Sequence, residues 1–276
     1  MRDEKREAGE EKAHDGANDT RDATAAPRST SGTALPPDPR SPIPSPRKRS
    51  LPPCPPILHE DAHCIVLNKP AGLAVQGGKG VGVSLDDILA ASFPERPLLV
   101  HRLDRDTSGL VLVAKGRGAA AAFSALLGGG REGGRGATKL YLAVCRGAPE
   151  KPQGTIRLDI DDGRGGAKKS ETRYRVLEAL CGGDFSLLEL ELGTGRMHQI
   201  RRHLAMVGCP VLGDDKHGDF ALNRALRKER GLRRLLLHAS RLAVERAPGG
   251  SRLDVEAPLP EDFARFLEGA RGVTRM

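Results

Sequence analysis

From Ile57 onward the chain alternates short apolar runs with Gly, Pro and Asp, and few runs are long enough to make a helix. The pattern predicts strands at 57–60, 64–68, 98–101, 109–115, 139–145, 154–160, 171–178, 185–192, 241–245 and 253–257. Several alternate clearly: in the segment from 171 to 178, Thr172, Tyr174 and Val176 share one face. Helical periodicity predicts 118–127, 196–207, 220–230 and 261–270. Strands that arrive in runs, rather than in strict alternation with helices, indicate an α+β fold with a largely antiparallel sheet. Residues 1–56 break the pattern, holding no Phe, Tyr or Trp and 11 of the 20 prolines. Too little apolar surface is present there to offset the entropy of ordering, so 1–56 is expected to be a disordered extension ahead of a domain at 57–272.

Charge narrows the partner. Of the formal net charge of +8, residues 1–54 carry +1 and the remainder +7. With a sequence pI near 9.5, a foldable part of that excess suits a polyanion such as RNA or DNA, though charge alone does not choose one. The five cysteines are scattered singly with no Cys-x-x-Cys pair, which favours a reducing compartment and argues against structural zinc. No apolar run approaches the roughly 18 residues that span a bilayer. The acid-rich N-terminus (Asp3, Glu4, Glu7, Glu10, Glu11) fits neither a signal nor a transit peptide. A cytoplasmic monomer without membrane contact is expected.

Two segments could carry chemistry. In His101-Arg-Leu-Asp-Arg-Asp-Thr-Ser-Gly109 a dense polar cluster lies between two apolar strands, where a turn at a sheet end holds a reactive group rigidly. The same residues also suit a plain tight turn, with Asp106, Thr107 and Ser108 bonding their own backbone and Gly109 taking an unusual dihedral angle. Spacing alone does not choose between Asp104 and Asp106. In Thr194-Gly-Arg-Met-His-Gln-Ile-Arg-Arg-His-Leu-Ala-Met-Val-Gly208, Met197, Ile200, Leu204 and Val207 form an apolar helix face, with Arg196, Gln199, Arg202 and His203 opposite. Arg201 falls at the border of the buried face, where a guanidinium must snorkel to water or meet a carboxylate. Thr194 and Gly195 would leave free N–H groups at the helix start beside Arg196, a seat for phosphate. An ordinary basic amphipathic helix would look the same.

Other chemistries fail on spacing. His198 and His203 are five apart and share no helical face. Gly77-Gly-Lys-Gly-Val-Gly-Val-Ser84 has Val83 where a phosphate loop needs lysine. The stretch from Gly128 to Gly136 reads as a solvated basic linker.

Taken together, these segments resemble the RluA-like family of RNA pseudouridine synthases, in the branch that modifies large-subunit ribosomal RNA. His-Arg-Leu-Asp-x-x-Thr-Ser-Gly stands at 101–109, Asn68-Lys-Pro-Ala-Gly72 opens the domain, and Thr194-Gly-Arg-x-His-Gln-Ile-Arg201 closes it. Lys139-Leu-Tyr141, Gly213-Asp214 and Leu237-His-Ala239 fit in order, and the resemblance spans roughly residues 57–266. It implies a mixed, mostly antiparallel sheet in two subdomains with a catalytic cleft between them. It also implies Asp104 as the catalytic aspartate, Tyr141 as the ring that stacks on the target base, and Arg201 as the aspartate's partner. Arg102 matches the position whose side chain fills the gap left by a flipped base. With Lys139, Arg196, His198, Gln199, Arg202 and His203 it forms the expected RNA-contacting set. The chain departs from the family at Gln76, where histidine is common, at Met197 (threonine) and at His217 (tyrosine). Residues 1–56 bear no likeness to the S4 RNA-binding domain common in these relatives.

The activity implied is isomerisation of uridine to pseudouridine in structured RNA, with no cofactor and no metal. Two rivals use the same residues differently: a catalytically silent RNA-binding or ribosome-assembly factor, and a glycosidase, which would need a second positioned acid. Pseudouridine in product RNA separates all three.

Overall fold

A computed structural model describes residues 51–78, 80–128, 136–161 and 166–272 of the chain. The expected extension lies outside the described residues up to position 50, as do positions 129–135 of the basic linker. Packing begins a little before the expected start at 57: Cys54 rests on the core, and the Asn68 N–H donates to the Pro56 carbonyl at 2.9 Å.

The strands in chain order are β1 (Ile57–Glu60), β2 (Cys64–Lys69), β3 (Leu98–Leu99), β4 (Ser108–Ala114), β5 (Thr138–Arg146) and β6 (Gln153–Arg157). They continue with β7 (Ile160–Asp161), β8 (Ala167–Lys168), β9 (Glu171–Leu180), β10 (Phe185–Leu192), β11 (Leu237–Val244) and β12 (Leu253–Glu256). The helices are α1 (Leu85–Ser92), α2 (Arg117–Leu127), α3 (Gln199–Met206), α4 (Phe220–Glu229) and α5 (Glu261–Arg271). Ten strands form one sheet in the order β1-β2-β4-β11-β5-β10-β9-β6, with β3 beside β4 and β12 beside β11. Among the described residues its pairings are antiparallel except β4 with β11, so the expected α+β class and mostly antiparallel sheet are both found.

The sequence explains why β4 is central. Its apolar run is buried at every position because both faces are covered. Val111 and Val113 pack with Leu85 and Leu89 of α1, while Leu110 and Leu112 pack with Phe123 and Leu127 of α2. Helix α1 is absent from the sequence expectation although its signals are present: the Ser84 hydroxyl and the Asp87 carboxylate form a capping box, and Leu85, Ile88 and Leu89 keep helical spacing. Eight residues ending just before Phe93-Pro94 are too short for periodicity to stand out. The strand expected at 154–160 is two strands, broken where the Leu158 carbonyl turns to accept bonds from Ser170 and His203.

The seam between β4 and β11 positions the site. It is a parallel contact of two residue pairs, Ser108 with His238 and Gly109 with Ala239. Gly109 has φ +111°, and a Cβ there would sit 2.2 Å from the Ala239 carbonyl oxygen, so no other residue lets the strands close. Ser108 does not bond its own backbone, as a plain turn would require. Arg234 donates to its Oγ, and the hydroxyl faces His238 Nδ1 at 2.8 Å, leaving His238 Nε2 toward the Ala257 carbonyl. Further along β4, beyond the reach of β11, the Leu112 N–H donates to His101 Nε2, so that side chain replaces the backbone of the strand expected to run through 101.

Two outcomes follow from this seam. Gly109→Ala should lower unfolding free energy by roughly 3 kcal/mol or more in urea denaturation; a cost within experimental noise would mean the seam can open freely. His238 accepts at Nδ1 only while neutral, and burial depresses its pKa to about 4 from an ordinary 6.5. A depressed histidine contributes stability that is complete above about 6.5 and is lost as pH falls toward about 4. Denaturation series across that window should show a shallower pH slope for His238→Asn than for the unsubstituted protein.

Candidate active site

Asp104 lies on the loop from β3 to β4, where the Thr107 N–H donates to the Asp104 carbonyl and tightens the turn. Its carboxylate is 21% exposed and opens into a cavity of about 180 Å³. The lining includes Arg102, Asp104, Tyr141, Arg196, His198 and Arg201. Asp106, the alternative from spacing, is not part of this lining.

The loop is fixed from behind by Lys69. This side chain is fully buried, and its ammonium donates to the carbonyls of Pro70 (2.9 Å), Leu73 (2.8 Å) and Arg105 (3.0 Å). The Gly72 N–H also donates to the Arg105 carbonyl, so the Asn68-Lys-Pro-Ala-Gly72 segment and the loop bearing Asp104 form one clamped unit. Burial pulls the Lys69 pKa down to about 7, while three acceptors favour the ammonium, which alone has three N–H donors.

Opposite Asp104 stands Arg201, 1% exposed, on α3. The expected meeting with a carboxylate is found, and the principal partner is Asp214. Arg201 Nε donates to Asp214 Oδ2 at 2.7 Å and one terminal nitrogen to Asp214 Oδ1 at 2.6 Å, a bidentate fork. That terminal nitrogen also reaches Asp215 at 3.1 Å, while the other faces Asp104 Oδ2 at 3.7 Å. Burial works against the charge on Arg201, but its bonds and proximity to Asp214 outweigh it and raise the pKa. Burial likewise opposes charge on Asp214, and the guanidinium with the N–H groups of His217 and Lys216 holds its pKa below the usual range. Asp214 Oδ1 accepts both N–H groups at 2.9 Å, so one carboxylate aims Arg201 and builds the 214–217 turn.

Helix α3 starts later than expected and is buried differently. His198, in left-handed conformation at φ 53°, precedes its first turn, so the segment from Thr194 to Met197 is loop. Met197 is 65% exposed and Val207 39%, which removes both from the expected apolar face and leaves Ile200 and Leu204 in the core. Gln199 and His203, expected to meet RNA, are both buried, and Gln199 also lines the cavity. Gln199 Oε1 accepts from the Thr194 hydroxyl and the Arg196 N–H, and its amide donates to the Glu171 carbonyl and Thr172 Oγ1. His203 Nδ1 faces Thr172 Oγ1, and Nε2 faces the Leu158 carbonyl and Ser170. These bonds fasten α3 to β9. Beside the phosphate seat expected at Thr194 and Gly195, the Arg196 N–H donates to Gln199 Oε1.

Lys139 also departs from expectation: its Nζ donates to the Leu127 carbonyl at 2.9 Å, finishing the C-terminal turn of α2. Arg202 donates to the Asp161 carbonyl, away from the cleft. Arg102 and Arg196 are exposed and rim the cavity. Tyr141 sits on β5 between Leu190 and Ala239, its ring 7% exposed in the cavity wall; burial and then the charge of Asp104 push its phenol well above its ordinary pKa, so it stays protonated. His198 lies between two groups, with Nδ1 3.1 Å from His217 Nε2 and Nε2 3.9 Å from Asp104 Oδ2.

Asp214 and Lys69 are the functional residues sequence reasoning left without roles. The need for a carboxylate beside Arg201 pointed to the first, and a lysine inside a buried apolar strand to the second. Among the described residues one group could offer metal ligands, His59, Asp61 and Cys64. Asp61 already caps the β1–β2 turn through the His63 and Cys64 N–H groups, and burial lifts the Cys64 thiol to about 12.

Comparisons with known proteins place the chain in a family. Residues 63–206 match the family model described as RNA pseudouridylate synthase. The ribosomal large subunit pseudouridine synthase C of Escherichia coli (strain K12) is 38% identical over 227 residues, covering 78% of this chain and 70% of that protein. Its namesake in Vibrio cholerae is 35% identical over 223 residues, covering 78% and 69%. The solved human RNA pseudouridylate synthase domain containing 4 superposes with a TM-score of 0.65 at 27% identity, covering 78% of this chain and 92% of that one.

The Arg201–Asp214 fork gives a stability prediction. Removing one partner strands the other charge, so Arg201→Met and Asp214→Leu should each cost about 3–5 kcal/mol in denaturant unfolding. The double variant should cost less than the sum by at least about 1 kcal/mol; simple additivity would show that the fork carries no coupling.

Proposed function

The chain belongs to the RNA pseudouridylate synthase family and is a pseudouridine synthase, and from that premise we propose that Asp104 is the reacting carboxylate and large-subunit ribosomal RNA the substrate. The observation that carries the first part is the placement of Asp104, half-buried at the cavity with one oxygen facing a guanidinium fixed by other carboxylates. The second part is supported by the names of the relatives.

The chemistry is an intramolecular exchange. The C1'–N1 bond of uridine breaks, the uracil turns, a C1'–C5 bond forms, and a proton leaves C5 while one arrives at N1. Substrate and product contain the same atoms, so the reaction balances with no co-reactant. A cavity of about 180 Å³ admits a base that has left its stack, so the target uridine must be flipped. Tyr141 offers its ring face to that base, Arg102 at the rim stands where its side chain can fill the gap the base leaves, and Arg196 meets the phosphates around it. Arg201 keeps a fixed cation beside Asp104 while charge moves between sugar and base, without reorganising as the reaction proceeds. In this reading the catalytic domain runs from 57 to 272 and works in the cytoplasm as a monomer. Among the described residues no helix is long and apolar enough to cross a membrane.

Asp104→Asn should abolish pseudouridine formation while leaving RNA affinity within a few-fold; product from the purified variant would move the reacting group elsewhere. Tyr141→Phe should keep much of the turnover and Tyr141→Ala little, because stacking needs the ring more than the hydroxyl. Mapping pseudouridine in ribosomal RNA with and without the gene tests the substrate: a large-subunit site should be lost, and an unchanged large-subunit map would overturn that assignment.

A further inference from the structure

His198 is held in a costly way for a residue the reaction scheme does not use. Its backbone is left-handed, a conformation a residue with a Cβ rarely adopts, and no side-chain cap at the helix start repays it. The consequence of that backbone is that the imidazole enters the cleft with its two nitrogens facing different groups. Nδ1 is 3.1 Å from His217 Nε2, with the rings edge to face at 71°, and Nε2 is 3.9 Å from Asp104 Oδ2. Arg201 faces the same aspartate oxygen at 3.7 Å, and Lys216 completes the charged surroundings.

A hydrogen bond between two imidazoles needs a proton on one of the facing nitrogens and a lone pair on the other. Two arrangements are available to the neutral pair. If His198 donates from Nδ1, its Nε2 lone pair faces the Asp104 carboxylate, acceptor against acceptor. If His217 donates from Nε2, His198 accepts at Nδ1 and turns an N–H toward Asp104. Electrostatics selects the second. The geometry points to His217 as a positioning residue that fixes His198 as an Nε2–H donor directed at Asp104. The backbone of His217 is tied in turn to Asp214, which also aims Arg201. Asp104 is thereby flanked by two donors that trace to one buried carboxylate.

This inference rests on Asp104 as the reacting group, and the test separates the two. Long-range proton–nitrogen NMR of RNA-free protein near neutral pH, assigned with His198→Gln, reads the tautomer directly. The expected spectrum has His198 protonated at Nε2, changing to a mixture in His217→Phe. With RNA, His217→Phe should lower kcat about 5-fold with KM unchanged, the effect of losing one net hydrogen bond. His217→Gln, whose amide can donate, should recover most of that loss. An Nδ1–H tautomer of His198 in the unsubstituted protein would overturn the proposal without any variant, and so would full kcat in His217→Phe. Turnover by Asp104→Asn would overturn the reading beneath it, and the RNA-free spectrum would still report on the histidine pair.

Discussion

The site depends on a buried ion pair. Arg201 and Asp214 have almost no contact with water, and burying either charge there alone would be costly. Their fork, completed by two backbone N–H donors, makes the burial tolerable and removes the freedom a long side chain would have at the surface. An arginine with its other donors committed cannot swing away from Asp104, nor collapse onto it. The 3.7 Å separation leaves an oxygen available for chemistry.

A second set of bonds works from the opposite side of the loop. Lys69 ties the Arg105 carbonyl to the opening segment, and Arg234 through Ser108 ties the first residue of β4 to His238. Asp104 immediately precedes these anchors at Arg105 and Ser108, so its loop is set by backbone and side-chain bonds rather than by packing of its own polar residues. This is the arrangement expected of a group that must be held within a fraction of an ångström while remaining open to substrate.

Most of the sheet was legible in the sequence because alternation and turn residues agreed, as in the segments that became β1 and β10. Helix α1 was not, since an eight-residue helix beside a glycine-rich stretch gives a weak periodic signal. The α3 region misled for a different reason. A helical wheel sorts residues by polarity, whereas Gln199 and His203 are buried by hydrogen bonds to Thr172 and Ser170, partners more than 25 positions away in the chain. Lys139, placed in the RNA-contacting set by resemblance, has as its partner the carbonyl of Leu127 at a helix end, 12 positions away. Asp104, Tyr141 and Arg201 came from resemblance rather than from pattern, and they do converge on one cavity. What brings them together is a tertiary contact that local pattern does not encode.

The two-residue parallel contact between β4 and β11 joins positions 130 residues apart. During synthesis, therefore, the loop bearing Asp104 emerges long before the strand that completes its surroundings. Until His238 and Ala239 appear, β4 has an open edge where β11 will lie and Ser108 lacks the imidazole it is built to meet. Closure of so long a loop is slow compared with hairpin pairing, which lets β1, β2 and β4 form early and wait. The nascent chain consequently carries an apolar strand with an unpaired edge until β11 has been made.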